Sequence, residues 1–436
     1  MLYANFMKKN IKDILERIDE DYFSLLKKIG KVAKEENLKA YLVGGMVRDL
    51  LLGFDNLDID IVVENNAARL ADALIKNIPS SELSAKHDRF HTAKVIFNIS
   101  GKKIPVDLAS TREETYAKPA ALPDVTVSTL ENDLGRRDFT INALAVSLLP
   151  NDFGNIVDYF EGLEDLIERK RIKILHPKSF IDDPTRMIRA VRFALKLGFE
   201  IEENTKNLLE TALDSKQFDN LIEKIRGDRV KIEIRYFLKQ IKNMSSESNV
   251  KELLDKLLES GIYRLISTDL KFNVVPELWN ATKYIPRKYE NQWLIYLALF
   301  IKHLDSEKQL TIMNNLQLTS DEISIISKAF VVYKKLLSYK SLDSMLVYKE
   351  LKALRPESII LIDSMFVQHT NIASFIEEYI NKTSKIKLFI SGQDLISMGV
   401  PSSKRIGEIL EKVLEKKISH PEMKREEEEK LARELI

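Results

Sequence analysis

Apolar and polar positions follow two different rhythms along this chain of 436 residues. Residues 1 to about 35 carry apolar positions at helical spacing. From residue 40 to about 150 the pattern changes to short apolar runs: 41 to 43, 58 to 63, 92 to 99 and 102 to 109 read as strands, and the Ser100-Gly101 turn joins the last two as a hairpin. From Arg136 onward helical periodicity dominates, broken near Pro150 to Gly154, His176-Pro177, Asn243 to Ser248 and Lys382 to Ser384. Strands first and helices afterwards predict an α/β head with a small mixed sheet, followed by an all-α remainder. No repeat or low-complexity stretch interrupts this order, and the closing KREEEEKLARELI reads as a charged, solvated helix.

Length adds domain count: 436 residues exceed one compact core and predict two to four domains. Charged residues at 31% and apolar ones at 44% describe a globular chain, and no window approaches 18 uncharged apolar residues. The N-terminal MLYANFMKKNIKDILERIDEDYF contains acids and is amphipathic, unlike a signal peptide, so a cytoplasmic location is expected. With no Cys, disulfides, thiolate zinc sites and Cys nucleophiles are excluded together. Of six His, His87 and His91 have HxxxH spacing, but His91 opens a predicted strand, so the pair does not converge on a metal. A metal is then expected on carboxylates, which points to magnesium. The net charge of +1 does not advertise a nucleic-acid binder. Basic clusters at 169–173, 224–231 and 412–424 are, taken alone, ordinary helix faces.

The richest stretch is YLVGGMVRDLLLGFDNLDIDIVVE, from Tyr41 to Glu64. In a strand side chains alternate faces, so Asp58 and Asp60 share one side while Ile59, Ile61 and Val63 enter the core. Two carboxylates about 7 Å apart can bracket hard divalent cations. Gly44 and Gly45 leave backbone N–H groups open to a phosphate, and the following helix, Met46 to Leu52, points its positive end there. A second cluster, ENDLGRRDFTINAL from Glu131 to Leu144, places Arg136, Arg137, Asp138, Thr140 and Asn142 just before the chain turns helical. The arginines can neutralise β- and γ-phosphates, and Asp138 or Asn142 can hold a ribose hydroxyl. The third, FIDDPTRMIRAVRFALKLGF from Phe180 to Phe199, reads as one helix. Asp183 before Pro184 has the form of an N-cap. At about 100° per residue, Asp183, Arg186 and Arg189 also form one polar stripe, with Arg192 drifting off it. The Asp183 carboxylate accepts and the Arg186 guanidinium donates, which matches the amine and ring nitrogen of cytosine and adenine and mismatches uracil and guanine.

These three segments, in this order, resemble the class II tRNA nucleotidyltransferases (CCA-adding enzymes) and bacterial poly(A) polymerases of the DNA polymerase β-like nucleotidyltransferase superfamily. The similarity covers residues 40 to 200 and returns weakly at SGQDLISMGVPSSKRIGEILEKVLEKKI. Asp182 stands where that family usually has Glu. The resemblance implies an elongated, seahorse-like molecule: an N-terminal helical extension (1–35), a catalytic head (36–160), a nucleotide-selecting neck (161–242), a body (243–384) and a tRNA-binding tail (385–436). It implies two Mg²⁺ ions on Asp58 and Asp60, with Asp107 a candidate third carboxylate. It further implies triphosphate contacts from Gly44, Gly45 and Arg48, phosphate and ribose contacts from Arg137 and Asp138 beside Asn142, and base selection by Asp183 and Arg186 with Arg189 and Arg192 in support. The basic stretch containing Lys404, Arg405, Lys412 and Lys416 would meet RNA phosphates.

The expected activity is template-independent addition of C, C and A to tRNA 3′ ends from CTP and ATP, with tRNA as partner, no membrane and no obligate protein partner. CC-only or A-only addition, or poly(A) synthesis, remain open, since the switch between full and partial addition depends on loop flexibility between Ala109 and Val127 and on how the pocket reshapes. A tRNA-binding module with a decayed head is the non-enzymatic alternative, against which the intact DxD argues.

Overall fold

The computed structural model describes residues 10–87, 91–115, 124–223, 227–284, 291–402 and 404–436. The helical reading of residues 1–9, residues 224–226 of one basic cluster and residues 116–123 of the loop lie outside them. The chain divides into two compact units, residues 1–225 with 260–265, and residues 226–259 with 266–436.

The first unit is built on a seven-stranded mixed sheet. Its strands are β1 (Ala40–Val43), β2 (Ile59–Val63), β3 (Ser81–His87), β4 (Thr92–Ile99) and β5 (Lys102–Ser110). After a separate two-stranded ribbon, β6 (Arg112–Thr115) with β7 (Asp124–Val127), follow β8 (Leu144–Ser147) and β9 (Ile156–Asp158). The order across the sheet is β3-β4-β5-β2-β1-β8-β9. Every pairing is antiparallel except β2 with β5. The expected hairpin is present: Ile99 pairs Lys102 across Ser100 and Gly101, whose φ values of 50° and 78° are those of a two-residue type I′ turn.

Helix α1 (Lys12–Leu15) precedes α2 (Glu20–Glu35), which starts at Asp19, whose side chain accepts from Asp21 N. Lys102 bonds Asp19 and Asp21, and Ser100 Oγ donates to Asp21, so the hairpin turn is fastened to the start of α2. Gly30 presses α2 against the Leu148 carbonyl, where a Cβ would fall 1.7 Å from the oxygen. Helix α3 (Gly45–Leu51) follows β1, and α4 (Ala67–Asn77) packs on β3, β4, β5 and α2.

Two readings need correction. The chain does not turn helical at Arg136: after α5 (Leu130–Gly135) and a single 3-10 turn over Thr140–Asn142, residues 144–147 form β8 inside the sheet, beside β1. All four β8 residues are buried, so the run Leu-Ala-Val-Ser lacks the alternation that marks a half-exposed strand and imitates a buried helix. Residues 180–199 are not one helix either. After α6 (Gly162–Ile167), the chain forms α7 (Ser179–Asp182), breaks at Asp183 (φ −134°, ψ 91°) and resumes as α8 (Thr185–Leu197). The Pro184 ring excludes the helical conformation from the residue before it. Strand β3 escaped the reading because it is a polar edge strand, without a buried residue.

The second unit is helical. Gln292–Ile301 (QWLIYLALFI) is buried at every position, which is why it is apolar all round. The helices Gly227–Leu238, Val275–Tyr284, Ser320–Ser338 and Pro356–Met365 surround it. Near its end, Ile390, Leu395, Val400, Ile409, Val413 and Ala432 form a separate small core. Beside it Lys417 pairs with the buried Glu428, whose carboxylate also accepts from Phe389 N and Ile390 N. Among the described residues no helix is long and apolar enough to cross a membrane.

Candidate active site

Strand β2 buries Ile59, Ile61 and Val63 and turns Asp60 to the opposite face. Its parallel register with β5 sets Asp60 beside Asp107. The antiparallel register of β5 with β4 sets Asp107 beside Lys94, whose Nζ donates to Asp107 Oδ2 at 3.0 Å. Asp58 precedes β2, and its backbone N–H donates to Asn56 Oδ1 at 3.0 Å. Asp60 and Asp107 line an open cavity of about 360 Å³ shared with Lys94, His87, Thr92, Arg136 and Arg137.

Asp60 opens to this cavity but is packed closely by protein elsewhere. That burial, with the charges of Asp107 and Asp58 and against those of Arg137 and Lys94, pushes its carboxyl up to about 6. Such crowding of carboxylates is what a divalent cation relieves, and an all-oxygen donor set suits a hard ion. Among the described residues no three Asp, Glu or His side chains are gathered tightly enough to enclose an ion. Magnesium usually takes only one or two carboxylates and fills its shell with water and substrate phosphate, so the Asp58-Asp60 pair fits it.

Gly44 faces this row. Its backbone (φ 75°, ψ −138°) is open to glycine alone, and a Cβ there would sit 3.4 Å from Arg137 Nη1 and 3.7 Å from Asp60 Oδ2. Arg137 Nη2 donates to Asp133 Oδ2 at 3.1 Å. The fully buried Asp133 also holds Arg136, whose other arm reaches Glu114 on β6 at 2.7 Å.

Arg48 is buried rather than directed at the cavity. Its Nε donates to Asp49 Oδ1 and its Nη1 to Asn142 Oδ1, both at 2.7 Å. Asn142 Nδ2 passes the connection to Asp138 Oδ1 at 2.9 Å, and Asp138 Oδ2 accepts from Arg189 Nε at 2.8 Å. Burial alone would raise the Asp138 carboxyl, but the Arg189 charge, the hydrogen bonds from Asn142 and Arg189 and the Arg186 charge outweigh it and hold the group at about 2. The other oxygen of Asp49 accepts from Asn56 Nδ2 at 2.9 Å. Phe193 lies under the guanidinium groups of Arg48 and Arg192, 4.6 and 4.3 Å from the ring centroid.

Asp183 does cap α8: Oδ1 accepts from Thr185 N at 3.1 Å and from Thr185 Oγ1 at 2.6 Å. Its Oδ2 stands 3.9 Å from Arg186 Nε. The terminal nitrogens of Arg186 donate to Ser179 Oγ at 2.8 Å and to the carbonyls of Arg136 at 2.8 Å and Arg137 at 3.3 Å, tying α8 to the Arg-Arg segment. Asp182 lies 4.0 Å from His176 Nδ1, and burial and the Arg186 charge lower the His176 pKa despite that neighbour. Lys404, Arg405, Lys412 and Lys416 are exposed on the helix Lys404–Ser419 of the second unit.

The structure thus gathers Gly44, Gly45, Arg48, Asp60, Asp107, Arg137, Asp138, Asn142, Asp183, Arg186, Arg189 and Arg192 within the first unit. Sequence reasoning missed Lys94, Asn56, Asp133 and Phe193. Lys94 was within reach, because the two-residue turn at Ser100-Gly101 fixes the hairpin register and therefore sets Lys94 opposite Asp107.

Residues 40–173 match the Poly A polymerase head domain. The chain is 33% identical over 427 residues to an A-adding tRNA nucleotidyltransferase from Geobacter sulfurreducens, a match covering 94% of this chain and 46% of that one. The chain spans about half the length of this and two further A-adding relatives that it matches. Among solved structures, a CCA-adding enzyme in an apo form superposes with a TM-score of 0.75 at 33% identity, over 96% of this chain and 97% of that one. The Thermotoga maritima CCA-adding enzyme complexed with tRNA-CCA gives 0.73 at 31% identity, over 97% and 98%.

Proposed function

The chain belongs to the family of tRNA nucleotidyltransferases that includes the CCA-adding enzymes, and from that premise we propose that it adds C, C and A to tRNA 3′ ends, using CTP and ATP and no nucleic-acid template. The observation that carries this reading is the convergence of Asp60, Gly44 and Arg137, beside the Asp183-Arg186 pair whose guanidinium grips the Arg136 and Arg137 carbonyls.

In this reading Asp58 and Asp60 hold magnesium, with Asp107 as a third carboxylate. The bound ions supply activation of the RNA 3′ hydroxyl and charge neutralisation of the departing pyrophosphate. Gly44, Gly45 and Arg137 receive the triphosphate, while Arg48 is held by Asn142 and shares the Phe193 ring with Arg192. Asp138, kept ionised by Arg189, accepts from the ribose together with Asn142. Asp183 and Arg186 read the base edge. The 3′ oxygen then displaces pyrophosphate from the α-phosphorus in line. Lys404, Arg405, Lys412 and Lys416 meet tRNA phosphates, and the division into extension, head, neck, body and tail follows the boundaries given above. A cytoplasmic location suits a tRNA-processing enzyme.

A second reading, addition of the terminal A alone, is favoured by the 33% identity to an A-adding enzyme. One experiment separates the two. The protein is given tRNA ending at the discriminator base, at C or at CC, with CTP, ATP or both, and the products are sized. Full addition extends the first substrate by three residues; A-only addition extends only the CC-ended one. Absence of extension on all three refutes both.

A further inference from the structure

We propose that Lys94 is a binding residue for the RNA 3′ end and, until a metal arrives, the counter-charge of the carboxylate row; the inference rests on reading Asp58 and Asp60 as the cation-binding pair. Three registered positions put Lys94, Asp107 and Asp60 in one line across β4, β5 and β2. The ammonium bonds Asp107 at 3.0 Å while both side chains stay open to solvent, 40% and 54% exposed.

The cations flanking Asp60 are held differently. Arg137 and Arg136 are anchored by Asp133, which is wholly buried and cannot be taken by an ion entering from the cavity. Asp107 stands on the cavity wall itself. Lys94 therefore shares its acceptor with any divalent cation that binds the row, and an ammonium close to a doubly charged ion is repelled in this half-enclosed place. Lysine is suited to giving way, because its charge is compact and its four-carbon stem flexible. Once displaced, the ammonium remains on the wall that also carries His87 and Thr92, paired with each other across β3 and β4.

The two sides of Asp60 then serve two polyanions. Arg137, against Gly44, serves the nucleotide's phosphates. Lys94 serves the last phosphodiester of the RNA. Each substrate meets a cation that its own arrival leaves in place, and Lys94 changes partner as the ion is loaded.

The test uses the full-length protein with Lys94→Met and Lys94→Arg. Mn²⁺ binding is measured by electron paramagnetic resonance without RNA or nucleotide, and KM for tRNA and for CTP by single-nucleotide addition. Lys94→Met is expected to bind Mn²⁺ about threefold more tightly and to raise KM for tRNA about tenfold with KM for CTP unchanged, and Lys94→Arg to restore the tRNA value. Unchanged or weaker Mn²⁺ binding by Lys94→Met, or an unchanged KM for tRNA, overturns the proposal. Asp60→Asn is measured alongside. If it loses Mn²⁺ while Lys94→Met gains nothing, Lys94 alone has been misread; if it binds Mn²⁺ like the unaltered protein, the carboxylate reading itself falls.

Discussion

In the proposed reading Asp183 carries two duties on two oxygens, and a pair of substitutions separates them. Oδ1 caps α8 through Thr185 N and Thr185 Oγ1, and Oδ2 faces Arg186. Asp183→Ala removes both. Loss of the cap costs about 0.5 to 2 kcal/mol. For a unit of this size, about 2 to 4 °C of melting temperature goes with each kcal/mol, so a fall of roughly 1 to 8 °C is expected. Asp183→Asn keeps a carbonyl oxygen for the cap and replaces the second acceptor by an amide donor. Its melting temperature should stay within about 2 °C of the unaltered protein. The base edge of cytosine or adenine then meets a donor where it presents an amine, and the preference over uracil or guanine should lose about 1 to 3 kcal/mol, or roughly 5- to 150-fold. The assay is kcat/KM for CTP and for UTP on tRNA ending at the discriminator base, beside a thermal melt. If Asp183→Asn keeps the unaltered CTP-to-UTP ratio, the carboxylate is a helix cap and nothing more.

Three further substitutions have expected outcomes. Asp60→Asn should lower nucleotide addition by at least about a thousandfold. Because the folded protein holds the Asp60 carboxyl at about 6, above the 3.8 of an ordinary Asp, its charge opposes folding fully above pH 6 and not at all below pH 3.8. Asp60→Asn should therefore raise the melting temperature at pH 7.5, and an equal gain at pH 3.5 would contradict the assigned cause. Gly44→Ala should destabilise the first unit by about 1 to 3 kcal/mol through its backbone conformation, read by urea unfolding, and abolish addition by disturbing Arg137 and Asp60. Lys417→Met leaves Glu428 buried without its cation and should cost about 3 kcal/mol. Hydrogen exchange should show the loss in residues 388–435, and protection unchanged there would refute it.

The sequence disclosed the parts of the fold whose cause is local. A Ser-Gly turn sets the β4–β5 hairpin, alternation marks β2, and Asp183-Pro184 marks the start of α8. It concealed parts whose cause lies elsewhere in the chain. Strand β8 is buried throughout because β1 and β9 flank it and a helix packs on it, which residues 144–147 alone cannot announce. In the site, residue types pointed to phosphate, ribose and base contacts, but not to which arginines are already engaged. Arg48 looked like a cation for phosphate, yet its guanidinium is buried against Asp49 and Asn142, partners one and 94 positions away. The parallel register that sets Asp60 beside Asp107 likewise has no local signature.

Six side chains form an unbroken run of hydrogen bonds: Asn56 to Asp49, Asp49 to Arg48, Arg48 to Asn142, Asn142 to Asp138 and Asp138 to Arg189. It joins the loop that positions Asp58 to helix α8, which carries Arg186 and is capped by Asp183. A change at one member alters the hydrogen-bond partner that its neighbours meet. Substitutions along this run should therefore be strongly epistatic, each tolerated in some backgrounds and harmful in others. If Asp183 and Arg186 select the base as proposed, attempts to evolve a new nucleotide preference would gain by varying these six positions with them, because the run holds the helix that carries Arg186.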